Sequence, residues 1–341
     1  MPEPYDLVVI GAGPGGYVGA IRAAQLGLRT AVVERDKVGG TCLHYGCIPT
    51  KALLYVAGVL DELRRGRDLG IATGDLAVDL AAVHARKRRV VEKLYKGTQY
   101  LLRKNRVDVF HGEARFLSRT EVAVALADGS ETALRGKHFM IATGSAPRSV
   151  PGIAIDNRRI IDSTAALDLK EVPRAIAILG AGPVGVEMAS VFRAFGAEVT
   201  LVELLPTLLP LEDEEIGRQL QRSFERRGIQ VHTESTAERV EYRGDGLAIT
   251  LRKGDQTTTI AADYLLVAVG RAPVYRELAV EEAGVVIEQG AVQVDANLRT
   301  ATPTIFGIGD VLGRPFRLAH VASEEAVFVA ESIAGASPPS I

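Results

Sequence analysis

The chain has 341 residues, 47% of them apolar and 24% charged, and its formal net charge is −2. This length exceeds one ordinary core and predicts two or three domains of a globular protein. A near-neutral charge provides no basic field for nucleic acid, and no apolar run reaches the ~18 residues of a membrane span.

The N-terminal segment, Met-Pro-Glu-Pro-Tyr-Asp, lacks the basic and apolar regions of a secretory signal. We therefore expect a cytoplasmic protein, in which a lone cysteine pair is more often catalytic or metal-bound than a structural crosslink. The most basic run, residues 85–89, lies in a helix-like stretch, and we expect it to be a solvated face.

The first apolar run, Leu7–Ile10, leads into a G-x-G-x-x-G motif formed by Gly11, Gly13 and Gly16, and a helical pattern follows. Glu34 ends the next apolar run, 23 positions after the first glycine. In a dinucleotide-binding turn the three glycines permit a tight turn, backbone approach to a pyrophosphate, and close helix–strand packing. The helix N-terminus supplies N–H donors to the phosphates, and the acid accepts hydrogen bonds from a ribose diol.

Residues 39–51 read G-G-T-C-L-H-Y-G-C-I-P-T-K and contain the only two cysteines, Cys42 and Cys47. Positions i and i+5 of a regular helix lie about 8.7 Å apart, whereas a disulfide needs less than about 7 Å between Cα atoms. A disulfide here therefore requires a distorted turn, for which Gly46 and Pro49 are the candidates. Such a pair is poised between dithiol and disulfide, and a helix start would stabilise its thiolate.

Three alternatives to a redox pair stay open. A zinc site would need further ligands, which His44, His111 and His320 could bring only from distant positions. A structural disulfide disagrees with the cytoplasmic expectation, and two inert buried cysteines are the third possibility. We favour the redox pair, and we expect no metal site.

The middle of the chain predicts a long helix and then strands. Residues 75–105 read mostly helical, and residues 107–142 read as short strands. The apolar strands Ile141–Gly144 and Leu265–Gly270 each end at a glycine. Farther on, Thr304–Asp310 is another strand that ends in glycine and an acid, followed by a helix from about residue 318 to 334.

A second G-x-G-x-x-G, formed by Gly180, Gly182 and Gly185, repeats the first at an offset of 169 positions, and Glu203 again follows after 23 residues. Two complete copies predict two dinucleotide sites. A carboxylate repels a 2′-phosphate, and no arginine closely follows Glu203, so the second site should prefer NAD to NADP.

Together these motifs resemble the flavin-dependent pyridine nucleotide-disulfide oxidoreductases, and within that family the dihydrolipoamide dehydrogenase branch. The resemblance covers essentially the whole chain. It rests on the G-G-T-C-L-x-x-G-C-I-P-[ST]-K segment, both glycine motifs, the A-T-G and F-G-I-G-D strand ends, and Leu318-Ala-His320 at the last helix.

The resemblance implies an α/β fold of two Rossmann-like domains with parallel central sheets, the NAD domain being inserted in the FAD domain. Residues 1–148 would form the first part of the FAD-binding domain with the redox disulfide. Residues 149–271 would form the NAD-binding domain, with linkers at Pro147–Pro151 and Arg271–Pro273. Residues 272–341 would form the second part of the FAD-binding domain.

The resemblance also assigns the two cofactors to residues. FAD would be held by Gly11, Gly13, Gly16, Glu34, Lys51, Gly112, Ala142, Thr143, Gly144, Asp310, Leu318, Ala319 and His320. NAD would be held by Gly180, Gly182, Gly185, Glu187, Glu203 and Gly270. For Asp310, an ordinary helix N-cap is the alternative interpretation.

Four residues would carry the chemistry by the same resemblance. Cys47 would be the thiol nearer the flavin, and Cys42 would exchange with the substrate. Lys51 would lie by the flavin N5 and pair with Glu187; it follows Cys47 by four residues and so shares its helix face. Electrons would pass from dihydrolipoamide through the disulfide and FAD to NAD. The alternatives are another disulfide or mercuric reductase, or a flavin-binding module without disulfide turnover.

Two departures from the family pattern matter. His44-Tyr45 replaces the usual Asn-Val between the thiols. The sequence stops after residues 334–341, where family members continue into a third domain that builds a homodimer and supplies a His-Glu acid–base pair. We expect a fragment of a longer protein, or else a natural truncation, and we expect the 341-residue chain to be impaired in lipoamide turnover. The parent would be a homodimer that acts on a small-molecule or lipoyl-domain disulfide, either alone or as part of a 2-oxoacid dehydrogenase or glycine cleavage system. Nucleic-acid and membrane partners are not expected.

Overall fold

The computed structural model describes residues 3–337; residues 1–2, where the signal-peptide argument begins, and 338–341, the last part of the terminal segment, lie outside the described residues. The helices are α1 (Pro14–Gln25), α2 (Gly40–His44), α3 (Cys47–Arg65), α4 (Leu80–Lys104), α5 (Ser163–Ala166), α6 (Pro183–Phe195), α7 (Glu214–Arg226) and α8 (Ala319–Ile333). Within residues 3–337, no helix combines the length and apolar character needed to cross a membrane.

The strands follow in chain order. They are β1 (Tyr5–Ile10), β2 (Thr30–Glu34), β3 (Asp108–Ser118), β4 (Glu121–Leu126), β5 (Glu131–Ile141), β6 (Ser145–Pro147), β7 (Ile160–Ile161), β8 (Ala175–Leu179) and β9 (Glu198–Val202). The remainder are β10 (Gln230–His232), β11 (Thr236–Arg243), β12 (Gly246–Lys253), β13 (Gln256–Ala262), β14 (Tyr264–Val267), β15 (Arg271–Pro273), β16 (Ile287–Glu288), β17 (Ala291–Val292) and β18 (Ile305–Gly307).

The chain forms two compact units. The first contains residues 3–44, 91–146 and 272–337, and the second contains residues 45–90 and 147–271. The first unit has one apolar core, and the second has two buried apolar clusters.

A parallel sheet in the order β3-β2-β1-β5-β18 forms the centre of the first unit. Every residue of β2 is buried, as expected for a parallel strand covered on both faces. Strands β3 and β5 are 11 residues long, longer than the short strands predicted from the sequence. One half of each belongs to the parallel sheet, and the other half pairs antiparallel with β4.

The second unit repeats this architecture. Its parallel sheet has the order β10-β9-β8-β14-β7, and an antiparallel sheet of β11, β12 and β13 is added. The succession β8, α6, β9 reproduces β1, α1, β2 at the offset that the glycine motifs predicted. The prediction of two Rossmann-like domains with parallel central sheets is confirmed.

Helix α3 and the start of α4 group with the second unit. The reason is apolar packing: Leu53, Ala57 and Leu60 of α3 are buried in the same cluster as Val186 and Met188 of α6. The helix that begins at Cys47 is therefore part of the core around the second glycine motif.

The expectation that the basic run of residues 85–89 is a solvated face was wrong for Lys87. The side chain of Lys87 is only 5% exposed, its Nζ lies 2.7 Å from Asp168 Oδ1, and it also donates to the carbonyl oxygen of Leu167. Arg86 lies over the ring of Tyr55, 4.9 Å from its centroid. The fold tolerates a buried lysine at this position because its side-chain nitrogen is paired with a carboxylate and a carbonyl oxygen.

Candidate functional site

The first glycine motif forms a turn that only glycine can adopt. Gly11 has φ +98°, and a Cβ there would overlap the carbonyl oxygen of Ala142. A Cβ on Gly16 would overlap the carbonyl oxygen of Gly11. These two glycines are therefore required by the fold, as the predicted tight turn and helix–strand packing demand.

The second motif has the same geometry. Gly180 has φ +101°, and its Cβ would lie 2.6 Å from the carbonyl oxygen of Ala268. A Cβ on Gly185 would overlap the carbonyl oxygen of Gly180. The two motifs are equivalent turns on equivalent strands.

The central glycines, Gly13 and Gly182, are different, because a Cβ on either would meet no protein atom within 4 Å. Their φ angles, −66° and −72°, are open to any residue. They are the N-cap residues of α1 and α6, where a helix leaves its first N–H groups without intrahelical partners. This arrangement fits a pyrophosphate, since neither the backbone conformation nor protein packing requires glycine at these two positions.

Glu34 and Glu203 are held in matching ways at the ends of β2 and β9. Glu34 accepts hydrogen bonds from the backbone N–H of Ala12 at 2.7 Å and of Asp36 at 2.9 Å. Glu203 accepts from Ala181 at 2.7 Å and from Leu205 at 2.9 Å. Both residues are buried, and each carboxylate oxygen keeps a further lone pair with which it could accept from a ribose hydroxyl.

A cavity of about 300 Å³ lies against the β3 edge of the first sheet. Val38, Leu102 and Val109 give it apolar walls, and His111 lines it directly opposite Glu34 in the β2–β3 register. The volume is at the small end of the range for ligand sites. Its position beside the ribose-binding candidate fits an adenine ring.

Gly112, predicted to line the flavin cofactor, has a structural reason to be glycine. A Cβ there would overlap the carbonyl oxygen of Ala125 on β4, where β3 changes from parallel to antiparallel pairing. Its identity alone does not indicate a cofactor contact.

The A-T-G strand end is fixed by backbone contacts. The N–H of Ala142 donates to Ile10 at 2.8 Å, and the hydroxyl of Thr143 donates to the carbonyl oxygen of Val274 at 2.5 Å. The N–H of Val274 donates back to Gly144, whose φ is +69°. Val274 was not predicted, because nothing local in the sequence relates it to residue 143.

Asp310 lies in a short 3₁₀ helix, Gly309–Leu312, and its Oδ2 accepts a hydrogen bond from Ser145 Oγ at 2.6 Å. The N-cap of that 3₁₀ helix is Ile308, so the alternative interpretation of Asp310 as an N-cap is not supported here. Ser145 was missed, although it directly follows the predicted Ala142–Gly144 segment. The Asp310 carboxylate is half-buried and can accept from a further hydroxyl.

Glu325 is a second carboxylate that the sequence interpretation missed. It is 1% exposed, it accepts from the N–H of Gly309 at 2.7 Å, and it pairs with Arg314. The signal available in the sequence was a glutamate on the apolar face of a helix, next to Ala326. Glu325 anchors the loop that presents Asp310.

Leu318, Ala319 and His320 form the N-terminus of α8. Leu318 is the N-cap and has no polar group with which to cap the helix, so the first N–H groups of α8 are not satisfied by its side chain. Leu318 and His320 are exposed. This helix start could stabilise partial negative charge on a bound cofactor.

The cysteines lie on two successive helices. Helix α2 ends at His44, α3 begins at Cys47, and Gly46 between them has φ −147° and ψ −109°. The predicted distortion therefore lies at Gly46. Pro49 was the wrong candidate, because it lies in the first turn of α3, where its missing N–H costs nothing.

Both cysteines are half-buried. Cys47 is the first residue of the 19-residue α3, a position where the helix dipole favours a thiolate. Burial, and then the electrostatic interaction with Cys42, raise the pKa of Tyr17 on α1. Within residues 3–337, no group of three or more His, Cys, Asp and Glu side chains could hold a metal ion.

Lys51, on α3 four residues after Cys47, contacts the second glycine motif. Its Nζ lies 2.5 Å from Oε1 of Glu187 on α6. The side chains are 60% and 28% exposed, respectively. The predicted Lys51–Glu187 pair is therefore present, and it places a cation on the helix face of Cys47. Gly270, the remaining predicted NAD residue, has φ +113° and lies next to Arg148.

Comparison with known proteins agrees with this geometry. Residues 5–326 match the family described as "Pyridine nucleotide-disulphide oxidoreductase". Dihydrolipoyl dehydrogenase of Chlorobaculum tepidum is 44% identical over 339 residues, which are 99% of this chain and 72% of that protein.

Two similar solved structures cover most of the chain. LpdA of Mycobacterium tuberculosis has a TM-score of 0.90 at 27% identity and covers 98% of this chain and 74% of its own. The Cu(II) complex of the HOCl-induced flavoprotein disulfide reductase RclA of Escherichia coli has a TM-score of 0.85 at 29% identity, over 97% and 71%. The chain therefore belongs to the pyridine nucleotide-disulphide oxidoreductase family, whose enzymes link a disulfide to FAD and a nicotinamide nucleotide.

Proposed function

We propose that the chain catalyses the NAD-linked oxidation of a dithiol of the dihydrolipoamide class, using a Cys42–Cys47 disulfide and FAD. The balanced reaction is dithiol plus NAD⁺ giving disulfide, NADH and one proton. The similarity to dihydrolipoyl dehydrogenases supports the substrate class.

One observation carries the proposal: the 2.5 Å contact between Lys51 and Glu187. It joins the helix that begins at Cys47 to the helix that begins at the second glycine motif. A binding module without turnover has no need for a lysine on the helix face of a cysteine with its partner on a dinucleotide-binding helix. A cation there favours the thiolate of Cys47.

We assign FAD to the first unit. Gly13 admits the pyrophosphate, Glu34 accepts from the adenosine ribose, and the cavity beside His111 takes the adenine. Asp310, supported by Ser145, accepts from the ribitol, and Ala142–Gly144, Gly112, and Leu318–His320 complete the lining, together with Gly11 and Gly16. When bound, FAD accepts two electrons from a dithiol and releases them as a hydride.

We assign NAD to the second unit. Gly182 admits its pyrophosphate, and Glu203 accepts from its ribose diol. Gly180 and Gly185 shape the turn, and Glu187 and Gly270 line the nicotinamide side. Glu203 is buried, and its carboxylate accepts two backbone hydrogen bonds that fix its position. This supports a preference for NAD over NADP, because the 2′-phosphate of NADP would be repelled by the fixed negative charge.

The thiols act in sequence. A substrate thiolate attacks Sγ of Cys42, so the Cys42–Cys47 bond breaks and Cys47 leaves as a thiolate. The second substrate thiol, after losing its proton, attacks the substrate sulfur that is bonded to Cys42. The bond between that sulfur and Sγ of Cys42 breaks, and Cys42 leaves as a thiolate. The substrate departs as a disulfide, and the protein retains both electrons as a dithiol. The N-terminus of α3 and the Lys51 ammonium favour the Cys47 thiolate.

We further propose a cytoplasmic setting, where cysteine pairs cycle between oxidation states. The physiological disulfide would be lipoamide on a lipoyl domain of a 2-oxoacid dehydrogenase or glycine cleavage system, and the active form would be a homodimer. The names of the similar dihydrolipoyl dehydrogenases support the lipoyl part of this proposal.

The test is NADH formation by the FAD-loaded protein supplied with dihydrolipoamide and NAD⁺. Wild-type protein should form NADH at a measurable rate, and Cys42→Ser with the same flavin content should form none. Two other family substrates would be tested: reduced glutathione as a donor of electrons to NAD⁺, and mercuric ion as an oxidant of NADH. Turnover of either of these without turnover of dihydrolipoamide would contradict the substrate class.

A further inference from the structure

Helix α3 is fastened to α6 at two separated points. One is the Lys51–Glu187 contact near the N-terminus of α3. The other lies near its C-terminus, where Nη2 of Arg227 donates to Oδ2 of Asp61 at 2.8 Å and Nη1 donates to the hydroxyl of Ser190 on α6 at 3.1 Å. The apolar residues Leu53, Ala57 and Leu60 fill the contact between these points.

Arg227 is itself held in place. It follows α7 as its C-cap residue, and its carbonyl oxygen accepts from Nε of Arg193 on α6 at 2.6 Å. Its guanidinium lies 6.0 Å from the ring centroid of Phe224. A planar guanidinium that binds a carboxylate with one nitrogen and a hydroxyl with another fixes direction as well as distance.

A helix is stiff along its axis, so two fixed points and an apolar face restrict both its slide and its rotation. Ten residues separate Lys51 from Asp61, a distance of about 15 Å along the axis. A change at Asp61 is therefore transmitted to the first turn of α3, which carries Cys47 and the N–H of Thr50 bonded to Gly46 at 3.0 Å.

We propose that the Asp61–Arg227–Ser190 contact is a positioning device for the reaction, which holds the first turn of α3 and thereby the reacting thiol Cys47 and the Lys51 cation in register with the second dinucleotide site. This inference rests on the proposed function. It assigns a role in catalysis to residues that touch neither substrate nor cofactor.

The primary test compares Arg227→Ala with Arg226→Ala in FAD-loaded protein. Arg226 is a matched control, because its Nε donates within α7, to the carbonyl oxygen of Arg222. For Arg227→Ala we expect kcat to fall roughly 5- to 100-fold, the range caused by misplacing a reacting group. KM for NAD should change less than about 2-fold, since Gly182 and Glu203 are untouched.

A second readout does not depend on turnover. In Arg227→Ala, the rate of amide hydrogen exchange in the first turn of α3 and the rate of alkylation of Cys47 in the reduced protein should both differ from wild type. The rate of amide exchange in β8 and β9 should equal that of wild type. Arg227→Lys should not restore kcat, because an ammonium cannot make both contacts in one plane. Asp61→Asn combined with Arg227→Ala should be no slower than the more impaired single variant.

The inference is overturned if Arg227→Ala has wild-type kcat and wild-type exchange in α3, or if Arg226→Ala loses as much activity. It is also overturned if exchange rises equally throughout the second unit, which is the signature of general destabilisation. If Arg227→Ala does not fold, Asp61→Asn alone carries the same expectation. A wild-type protein inactive on every dithiol would defeat the proposed function, while the exchange and alkylation results would still test the fastening of α3.

Discussion

The ammonium of Lys51 lies 2.5 Å from the carboxylate of Glu187, and both side chains remain partly exposed to solvent. Exposed ion pairs contribute only about 0–1 kcal/mol to folding. This contact therefore adds little to the stability of the α3–α6 packing, which the apolar residues between the helices already provide. Its value must lie in where it places a positive charge.

Replacing Lys51 with Gln should separate activity from stability. The free energy of unfolding should change by less than about 1 kcal/mol. Reduction of bound FAD by NADH should slow by roughly 10- to 150-fold, which corresponds to one charged hydrogen bond of 1.5–3 kcal/mol. Lys137→Gln is the control, because Lys137 is equally exposed and pairs with Asp6 at 2.7 Å in the other unit. Equal flavin reduction rates for both variants and wild type would reject the role of Lys51.

Substituting valine for one or the other central glycine should remove a different cofactor in each case. Gly13→Val and Gly182→Val should both fold, because the new side chains begin in open space on permitted backbone. Gly13→Val should lose FAD and keep NAD binding in the second unit, while Gly182→Val should keep FAD and lose affinity for NADH. Flavin content by absorbance and NADH binding by titration measure the two outcomes.

Gly16→Ala provides the contrast to these variants, since its Cβ would overlap a backbone oxygen and should destabilise the fold itself. Stoichiometric FAD in Gly13→Val would show that the first motif has been assigned to the wrong ligand.

Nucleotide choice should depend on Glu203. Wild-type protein should be reduced far faster by NADH than by NADPH. Glu203→Ser with Leu204→Arg should lower the ratio of the NADH rate to the NADPH rate by about 10-fold or more. This corresponds to about 1.5–3 kcal/mol for the lost repulsion and the new contact together. Leu204 is 67% exposed, so an arginine fits there without repacking. Leu204→Arg alone is the control, and equal rates with both nucleotides in the wild type would contradict the assignment.

The fold was largely predictable because its signals are local. Each glycine motif specifies a strand, a turn and a helix within about 25 residues, and the structure has β1-α1-β2 and β8-α6-β9 at those positions. The open space at Gly13 and Gly182 likewise follows from a motif whose spacing is set by ligand geometry.

What could not be predicted depends on contacts between distant parts of the chain. Arg227 reaches Asp61 across 166 positions, and Thr143 reaches Val274 across 131. Nothing in either neighbourhood marks these partners. Lys87 illustrates the same limit, because a run of basic residues does not reveal which of its members turns toward the core and meets Asp168.

Stability should fall in mild acid through His84. Burial, reinforced by the positive charge of Lys87, lowers the pKa of His84, although its hydrogen bond to Leu169 at 2.8 Å acts in the opposite direction. The unfolded chain therefore takes up a proton at a higher pH than the folded chain, whose pKa lies below the ordinary 6.5. The contribution of His84 to the free energy of unfolding should be constant above pH 6.5. It should decrease as the pH falls from 6.5 toward the lower pKa of the folded state.

His84→Gln isolates this effect, because its amide can still donate to Leu169 but does not titrate. Denaturant titrations of both proteins at about pH 7.5 and at a series of lower values would measure the difference. The wild type should lose more stability than the variant below about pH 6.5. Parallel curves across the whole series would mean that His84 is not protonated on unfolding.

The two cysteines should separate dithiol oxidation from hydride transfer. In Cys42→Ser the substrate has no sulfur to attack, and in Cys47→Ser no disulfide can form, so either variant should lose dihydrolipoamide turnover entirely. NADH-dependent reduction of an artificial electron acceptor needs no thiol and should persist at a rate within about 3-fold of wild type, because the two glycine motifs and Lys51 are unchanged.

The two variants should differ spectroscopically. Two-electron reduction of wild type should produce a long-wavelength absorption band that depends on a Cys47 thiolate, so Cys47→Ser should lack it. Cys42→Ser keeps that thiol at the start of α3, where the helix dipole favours its thiolate, and should show the band even before reduction. A band in Cys47→Ser and none in Cys42→Ser would exchange the roles of the two sulfurs, and dithiol turnover by either variant would refute the disulfide route.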